Sequence, residues 1–237
     1  MQRWMNLGVS GQCGWPTKRT EVTFGTVQFV LLPSTKDNSA SIHLDVSRKD
    51  DLAAMTTVNR FLSIASWAYK DSLQNHYGWS GSPVPVPVPA ENLARSINDA
   101  FLIRWNPLPE PKQRLALALY REALTLNSIP YRVLGFFKVI NILHKLGSAQ
   151  VAWIRDTLPK LNAPHIKERM VQITASEPDV AKYLYESGRC AVAHAFADPL
   201  IDPDDLTHLH RLSADEDIVR SLAEYLIEHE LNVPRYP

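Results

Sequence analysis

Arg114-Leu-Ala-Leu-Ala-Leu-Tyr-Arg-Glu-Ala-Leu124 decides how the second half of this chain folds. Leu115, Leu119, Ala123 and Leu126 recur every three to four residues behind Pro111, whose fixed φ suits a first helical turn, and Asn127-Ser128 breaks the pattern. The stretch therefore predicts an amphipathic helix. Downstream the same periodicity returns. Ile129 to Leu146 predicts a second helix stopped by Gly147, and Ala149 to about Leu161 a third, with Pro159 and Pro164 bounding a turn. Glu177-Pro178-Asp179 opens a fourth helix that runs through Gly188 to about Ala197, where Asp198-Pro199 halts it. Asp202-Pro203-Asp204-Asp205 reads as a helix start with Asp202 as N-cap. Ser213 and Glu216 read as a capping box before Ile218, Leu222, Tyr225 and Leu226. The second half is thus expected to be an all-α bundle.

Upstream the pattern changes. Ser82-Pro-Val-Pro-Val-Pro-Val-Pro89 removes four backbone donors and forbids helix, so the segment is expected to be extended and stiff, a loop or spacer rather than a ligand for a partner's groove. From Asp71 to the end of that run no regular period is visible. Before it, Thr20-Glu-Val-Thr-Phe-Gly-Thr-Val-Gln-Phe-Val-Leu-Leu32 is rich in β-branched and aromatic residues around a turn or bulge at Gly25. Ser41-Ile-His-Leu-Asp-Val-Ser47 alternates at period two, which predicts a half-buried strand facing the core with Ile42, Leu44 and Val46. Asp50 and Asp51 then open a helix to about Lys70 carrying Leu52, Met55, Val58, Phe61, Leu62, Ala65 and Trp67. The expected architecture is α+β: a small strand-rich N-terminal domain with one packed helix at residues 1–105, then an all-α helical domain at 109–237, joined at Asn106-Pro-Leu-Pro109.

Composition bounds the function. The 237 residues are 45% hydrophobic and 21% charged, which is globular composition, and no apolar run approaches the roughly 18 residues a membrane span needs. Lys plus Arg equals Asp plus Glu, at 25 each, so any nucleic-acid contact must be local rather than carried by a basic excess. Two cysteines, Cys13 and Cys190, give neither a disulfide framework nor a Cys-rich zinc site, and no apolar segment of signal-peptide kind follows Met1, so a cytoplasmic setting is expected. The nine glycines build no phosphate-cradling loop. No nucleotide or other cofactor, no metal and no membrane partner is expected.

One short stretch carries chemistry. Arg189-Cys-Ala-Val-Ala-His194 puts a cation and an imidazole into a small apolar helical segment. On an α-helix five residues leave the two about 140° apart, so they are not face neighbours, although arginine is long enough to bend toward the histidine. The plain structural alternative pairs Arg189 with Glu186 and His194 with Asp198. His194, Asp198, Asp202, Asp204, Asp205, His208 and His210 concentrate metal-capable ligands, but capping and Pro-delimited turns account for the acids. Cys190 and His194 share a spacing of four, as a thiol and a base would, without an identifiable orienting group. Trp4, Trp15, Tyr77 and Trp79 are expected in turns, capping the open end of a sheet or lining a pocket.

In its bundle context, Arg189-x4-His194 resembles the Arg-x4-6-His motif of HEPN domains, together with the leading helix 114–124, the aromatic helix Tyr131-Arg-Val-Leu-Gly-Phe-Phe-Lys138 and the late helix Ile218-Val-Arg-Ser-Leu-Ala-Glu-Tyr-Leu-Ile227. The chain looks most like the ApeA-like HEPN branch and the methylamine-utilisation J-type proteins, which also carry a strand-rich N-terminal part with a Phe-Leu-Ser helix, here Phe61-Leu62-Ser63. The resemblance implies metal-independent endoribonuclease activity, with His194 as general base or acid, Arg189 stabilising phosphate charge, RNA as partner and a homodimer through the helical domain that lines one cleft with two motifs. It departs from active members at Cys190, where they usually carry Asn, Asp or His. A non-catalytic RNA-binding or protein-interaction scaffold on the same bundle is the alternative it leaves open.

Overall fold

The computed structural model describes residues 2–11, 14–48, 50–90, 104–194 and 200–235. Cys13, Asp198 and the expected end of the fourth helix at Ala197 lie outside the described residues. The chain divides into two compact units, Met1–Arg121 with Arg235–Pro237, and Glu122–Pro234.

The first unit is an α+β unit built on strands β1 (Trp4–Gly11), β2 (Thr20–Phe24), β3 (Val27–Leu32) and β4 (Ser41–Asp45), helix α1 (Asp51–Tyr69), and strands β5 (Leu73–Ser82) and β6 (Arg104–Trp105). The six strands form one sheet in the order β5-β1-β4-β3-β2-β6. All neighbours are antiparallel except β2 and β6. The 20–32 stretch folds as a hairpin of β2 and β3, and of the turn or bulge expected at Gly25 the structure has the turn, with φ +60°, where a side chain is strained. Asp50 caps α1 by accepting the Ala53 amide at 2.7 Å, and Lys70 ends it in a left-handed conformation. The buried face of α1 meets the sheet through Phe61, whose ring lies 5.7 Å from Phe24, 5.0 Å from Phe29 and 5.7 Å from Trp105. Such interlocked rings bury large apolar areas in a fixed geometry.

The alternation in β4 gives only half of its environment. Ile42 and Leu44 are buried as expected, but so are Ser41 and His43, because the opposite face is also covered. Asn6 Oδ1 meets His43 Nδ1 at 2.8 Å, and Ser41 Oγ meets His43 Nε2 at 2.9 Å. The Val86 amide donates to the same Asn6 Oδ1 at 2.9 Å, so His43 holds its proton on Nδ1 and accepts from Ser41 on Nε2. The proline run supplies this cover. Val88 is buried, its carbonyl takes the Ser39 amide, and Asn38 bridges Pro89. Burial of the imidazole, with a smaller contribution from Arg19, lowers the His43 pKa to about 4.

The span without a regular period, from Asp71 onward, contains β5. It pairs along β1, a strand that the sequence pattern does not mark either, and its polarity is mixed because it lies at the edge of the sheet with β1 as its neighbour. Tyr77 and Trp79 therefore sit on a strand rather than in a turn, while Trp15 is buried and donates its indole N–H to the Leu32 carbonyl at 2.9 Å.

Helix α2 (Pro111–Thr125) is the helix predicted from 114–124, and the division between the units falls inside it. The second unit continues with α3 (Ile129–Asn141), α4 (Gly147–Thr157), a short 3-10 turn (Leu158–Lys160), α5 (Pro164–Thr174), α6 (Val180–Tyr183), a π turn (Leu184–Cys190), α7 (Ala191–Ala193), α8 (Leu206–Tyr225) and a terminal π turn (Leu226–Glu230). Its core joins Val133, Phe136, Phe137 and Ile140 of α3 to Leu212, Ile218, Val219 and Leu222 of α8. Several boundaries differ from the sequence expectation. Gly147 opens α4 instead of stopping α3, which ends at Asn141; no left-handed cap is involved. Pro159 and Pro164 bound a turn as expected, but Pro164 also opens α5, a helix the sequence reading does not include, where its fixed φ suits the helix start. The N-cap of α8 is Asp205, whose carboxylate accepts the Thr207 amide at 2.8 Å, while Asp202 accepts the Asp204 amide in the preceding turn. Ser213 and Glu216 lie within α8, and Glu216 is used by Arg132 at 2.8 Å rather than as a cap.

Candidate active site

Asp179 starts the segment that carries the motif. Its carboxylate accepts the Lys182 amide at 3.1 Å and pairs with Arg155 at 2.6 Å, and the Arg155 hydrogen bond lowers its pKa. Regular α6 lasts four residues before the chain widens into the π turn at Leu184–Cys190. Widened turns cost backbone hydrogen-bond geometry and concentrate where a side chain must be re-aimed. Here a buried polar cluster supports the widening. Arg211 donates to the Ser187 carbonyl at 2.8 Å and to the Tyr183 hydroxyl at 3.3 Å. Asp215, buried on α8, accepts from Arg169 at 2.9 Å and from the Tyr183 hydroxyl at 2.9 Å. Burial is the main cause of the raised Tyr183 pKa.

Past the π turn, α7 is one short turn, and His194 leaves it with extended backbone, φ −132° and ψ 112°. The two departures from α geometry close the separation expected on a regular helix. Arg189 Nη1 lies 3.2 Å from His194 Nε2. Because a guanidinium only donates, Nε2 is the acceptor in this contact and presents a lone pair. The Arg189 guanidinium also stands 5.7 Å over the Tyr185 ring and reaches the Cys190 sulfur at 3.9 Å. Both Arg189 and His194 are half-buried. Glu186, the alternative partner for Arg189, faces Lys182 at 3.9 Å.

The other sequence candidates separate. His208 is drawn back to its own turn, with Nδ1 accepting the Asp202 amide at 3.1 Å and Nε2 3.9 Å from Asp205. Among the described residues no group of three or more His, Cys, Asp and Glu side chains converges on a point. The Cys190 sulfur lies 3.9 Å from Arg189 Nη1. On the first unit, Tyr77 and Trp79 hold their rings 6.0 Å apart beside a groove of about 300 Å³ that Met5, Leu7 and Met55 also line. Sequence reasoning does not single out Tyr185, Arg211, Asp215 or Arg169. The one available signal is the spacing of four between Tyr185 and Arg189, which brings an aromatic face under a cation on a helix.

Residues 116–228 match the family model described as methylamine utilization protein MauJ, a stretch that contains both motif residues and the cluster around Asp215. Neither the curated proteins nor the solved structures yield a match to the chain. No described helix is long and apolar enough to cross a membrane.

Proposed function

From the similarity of residues 116–228 to MauJ and the convergence of Arg189 on His194, we propose that the second unit is a HEPN-type endoribonuclease linked to methylamine utilisation and acting in the cytoplasm. The observation that carries the reading is the 3.2 Å approach of the two side chains. His194 Nε2 is the base that takes the proton of an RNA 2′-hydroxyl, and the freed oxygen attacks the adjacent phosphorus. The 5′-oxygen leaves with a proton taken from water or from the second His194 of a homodimer, giving a 2′,3′-cyclic phosphate and a 5′-hydroxyl. Arg189 supplies charge-assisted donors to the phosphate oxygens as negative charge grows in the transition state.

Without RNA, Arg189 occupies the Nε2 lone pair. An incoming phosphate competes for the guanidinium, so substrate binding turns Arg189 from histidine to phosphate and releases the base. Two such sites in a homodimer formed through the helical unit would supply the local positive charge that the balanced composition lacks. The test is end analysis of a synthetic single-stranded RNA after incubation in EDTA. Cyclic phosphate ends support the reading, and 3′-hydroxyl ends or intact RNA oppose it. Cys190, where active HEPN proteins are polar, favours a second reading in which the unit binds RNA without cutting it. RNA retained but intact would identify that case.

A further inference from the structure

Gly147 opens α4 without a positive φ, so its lack of a side chain serves space rather than backbone freedom. A Cβ on Gly147 would lie 2.4 Å from the Tyr185 hydroxyl oxygen and 2.9 Å from Cζ. Only glycine leaves room for this tyrosine as it stands. Its ring is held edge-on by Phe137, with centroids 6.4 Å apart. The ring carries the Arg189 guanidinium at 5.7 Å, within the range of an attractive cation–π contact. Arg189 in turn meets His194.

We infer that Tyr185 is the positioning residue of the Arg189–His194 site, its ring holding the guanidinium toward His194 and Gly147 providing the space that the ring needs. The assignment rests on the ribonuclease reading for its catalytic consequence but not for its geometry. Arginine is a long side chain with many rotamers, and a ring that keeps the guanidinium beside His194 leaves it only a short swing onto an arriving phosphate, which removes part of the entropic cost of reaching the reactive arrangement.

The experiment uses the full chain with Tyr185→Phe, Tyr185→Leu and Gly147→Ala, each checked for fold by its amide spectrum. Two readouts are taken: the 15N shift of the His194 imidazole, and kcat and KM on single-stranded RNA. Tyr185→Leu and Gly147→Ala are expected to move the Nε2 signal and to lower kcat about tenfold with KM changed less than about twofold, as loss of orientation does. Tyr185→Phe keeps the ring and is expected to retain the wild-type Nε2 shift. An unmoved Nε2 signal in Tyr185→Leu overturns the inference, as does a Tyr185→Phe protein as altered as Tyr185→Leu. If wild type leaves RNA intact while Tyr185→Leu still moves the Nε2 signal, the ribonuclease reading fails and the positioning role stands. If wild type cleaves and Tyr185→Leu cleaves equally well, the positioning role fails and the ribonuclease reading stands.

Discussion

The Arg211 guanidinium on α8 donates to the Ser187 carbonyl at 2.8 Å, inside the π turn that ends in Arg189 and Cys190. It gives a widened-turn carbonyl a charged donor and ties the motif-bearing segment to the long helix. Asp215, one helical turn after Arg211, is within 3.7 Å of it and receives Arg169 and Tyr183 as well. The motif geometry therefore depends on side chains that do not touch the proposed substrate.

Arg211→Met tests that dependence. Removing the cation leaves the Ser187 carbonyl and the Tyr183 hydroxyl without their donor and buried Asp215 without a neighbouring charge, a loss of about 1–3 kcal/mol by the usual cost of an unmet hydrogen bond. Urea unfolding monitored by circular dichroism should give a lower midpoint with unchanged slope. A midpoint equal to wild type would show that the π turn does not rely on Arg211.

Asn6→Ala tests how the proline run is fixed. Asn6 Oδ1 takes both His43 Nδ1 and the Val86 amide, and its side-chain amide donates to Ser82 at 2.6 Å. Truncation strands the buried His43 donor and the half-buried Val86 amide, so destabilisation of about 2–4 kcal/mol is expected for the first unit. Faster amide exchange at Val86, read by hydrogen–deuterium exchange, is the specific signature. Unchanged exchange there would mean that Ser39 and Asn38 alone hold the run.

His43 makes stability pH-dependent with a definite sign. Its folded pKa, about 4, is below the ordinary value of 6.5, so between these limits the unfolded chain binds the extra proton. The contribution is complete above pH 6.5 and is lost as pH falls to about 4. At roughly 1.4 kcal/mol for each unit, its full size is about 3 kcal/mol. Comparing unfolding free energies of wild type and His43→Gln across about pH 4 to 7 should give a flatter profile for the variant. Parallel profiles would exclude His43 as the source.

Phe61→Ala removes the ring that joins α1 to Phe24, Phe29 and Trp105, and a cost of about 3–5 kcal/mol is expected from the large-to-small change in a packed core. A loss below about 1 kcal/mol in urea titration would show that the cluster repacks around the gap.

Segments that follow a single periodicity are legible in the amino-acid sequence itself. Leu115 to Leu126 marks α2, Asp50 to Lys70 marks α1, and the hairpin turns at Gly25. What the pattern does not carry depends on neighbours distant in sequence. β5 has no alternation of its own and is defined by pairing with β1. Gly147 has the residue type of a helix stop, yet it is glycine because Tyr185 passes beside it. His43 falls on the polar side of the β4 alternation, but Asn6 and Val86 cover that side. At the site, Arg189 and His194 are visible as residue types at a spacing, and ideal helical angles keep them apart. The π turn and the extended backbone at His194 bring them together, and neither has a signature in the local sequence.

Incubating the full chain, as wild type and as His194→Ala of verified fold, with a mixed pool of single-stranded RNA and tRNA in EDTA decides whether His194 serves an RNA-cleaving site. Wild type is expected to give fragments ending in 2′,3′-cyclic phosphate and the variant to lose at least about a hundredfold in rate, the scale of a removed general base. RNA left intact by wild type, or cut equally by His194→Ala, would contradict that role for His194.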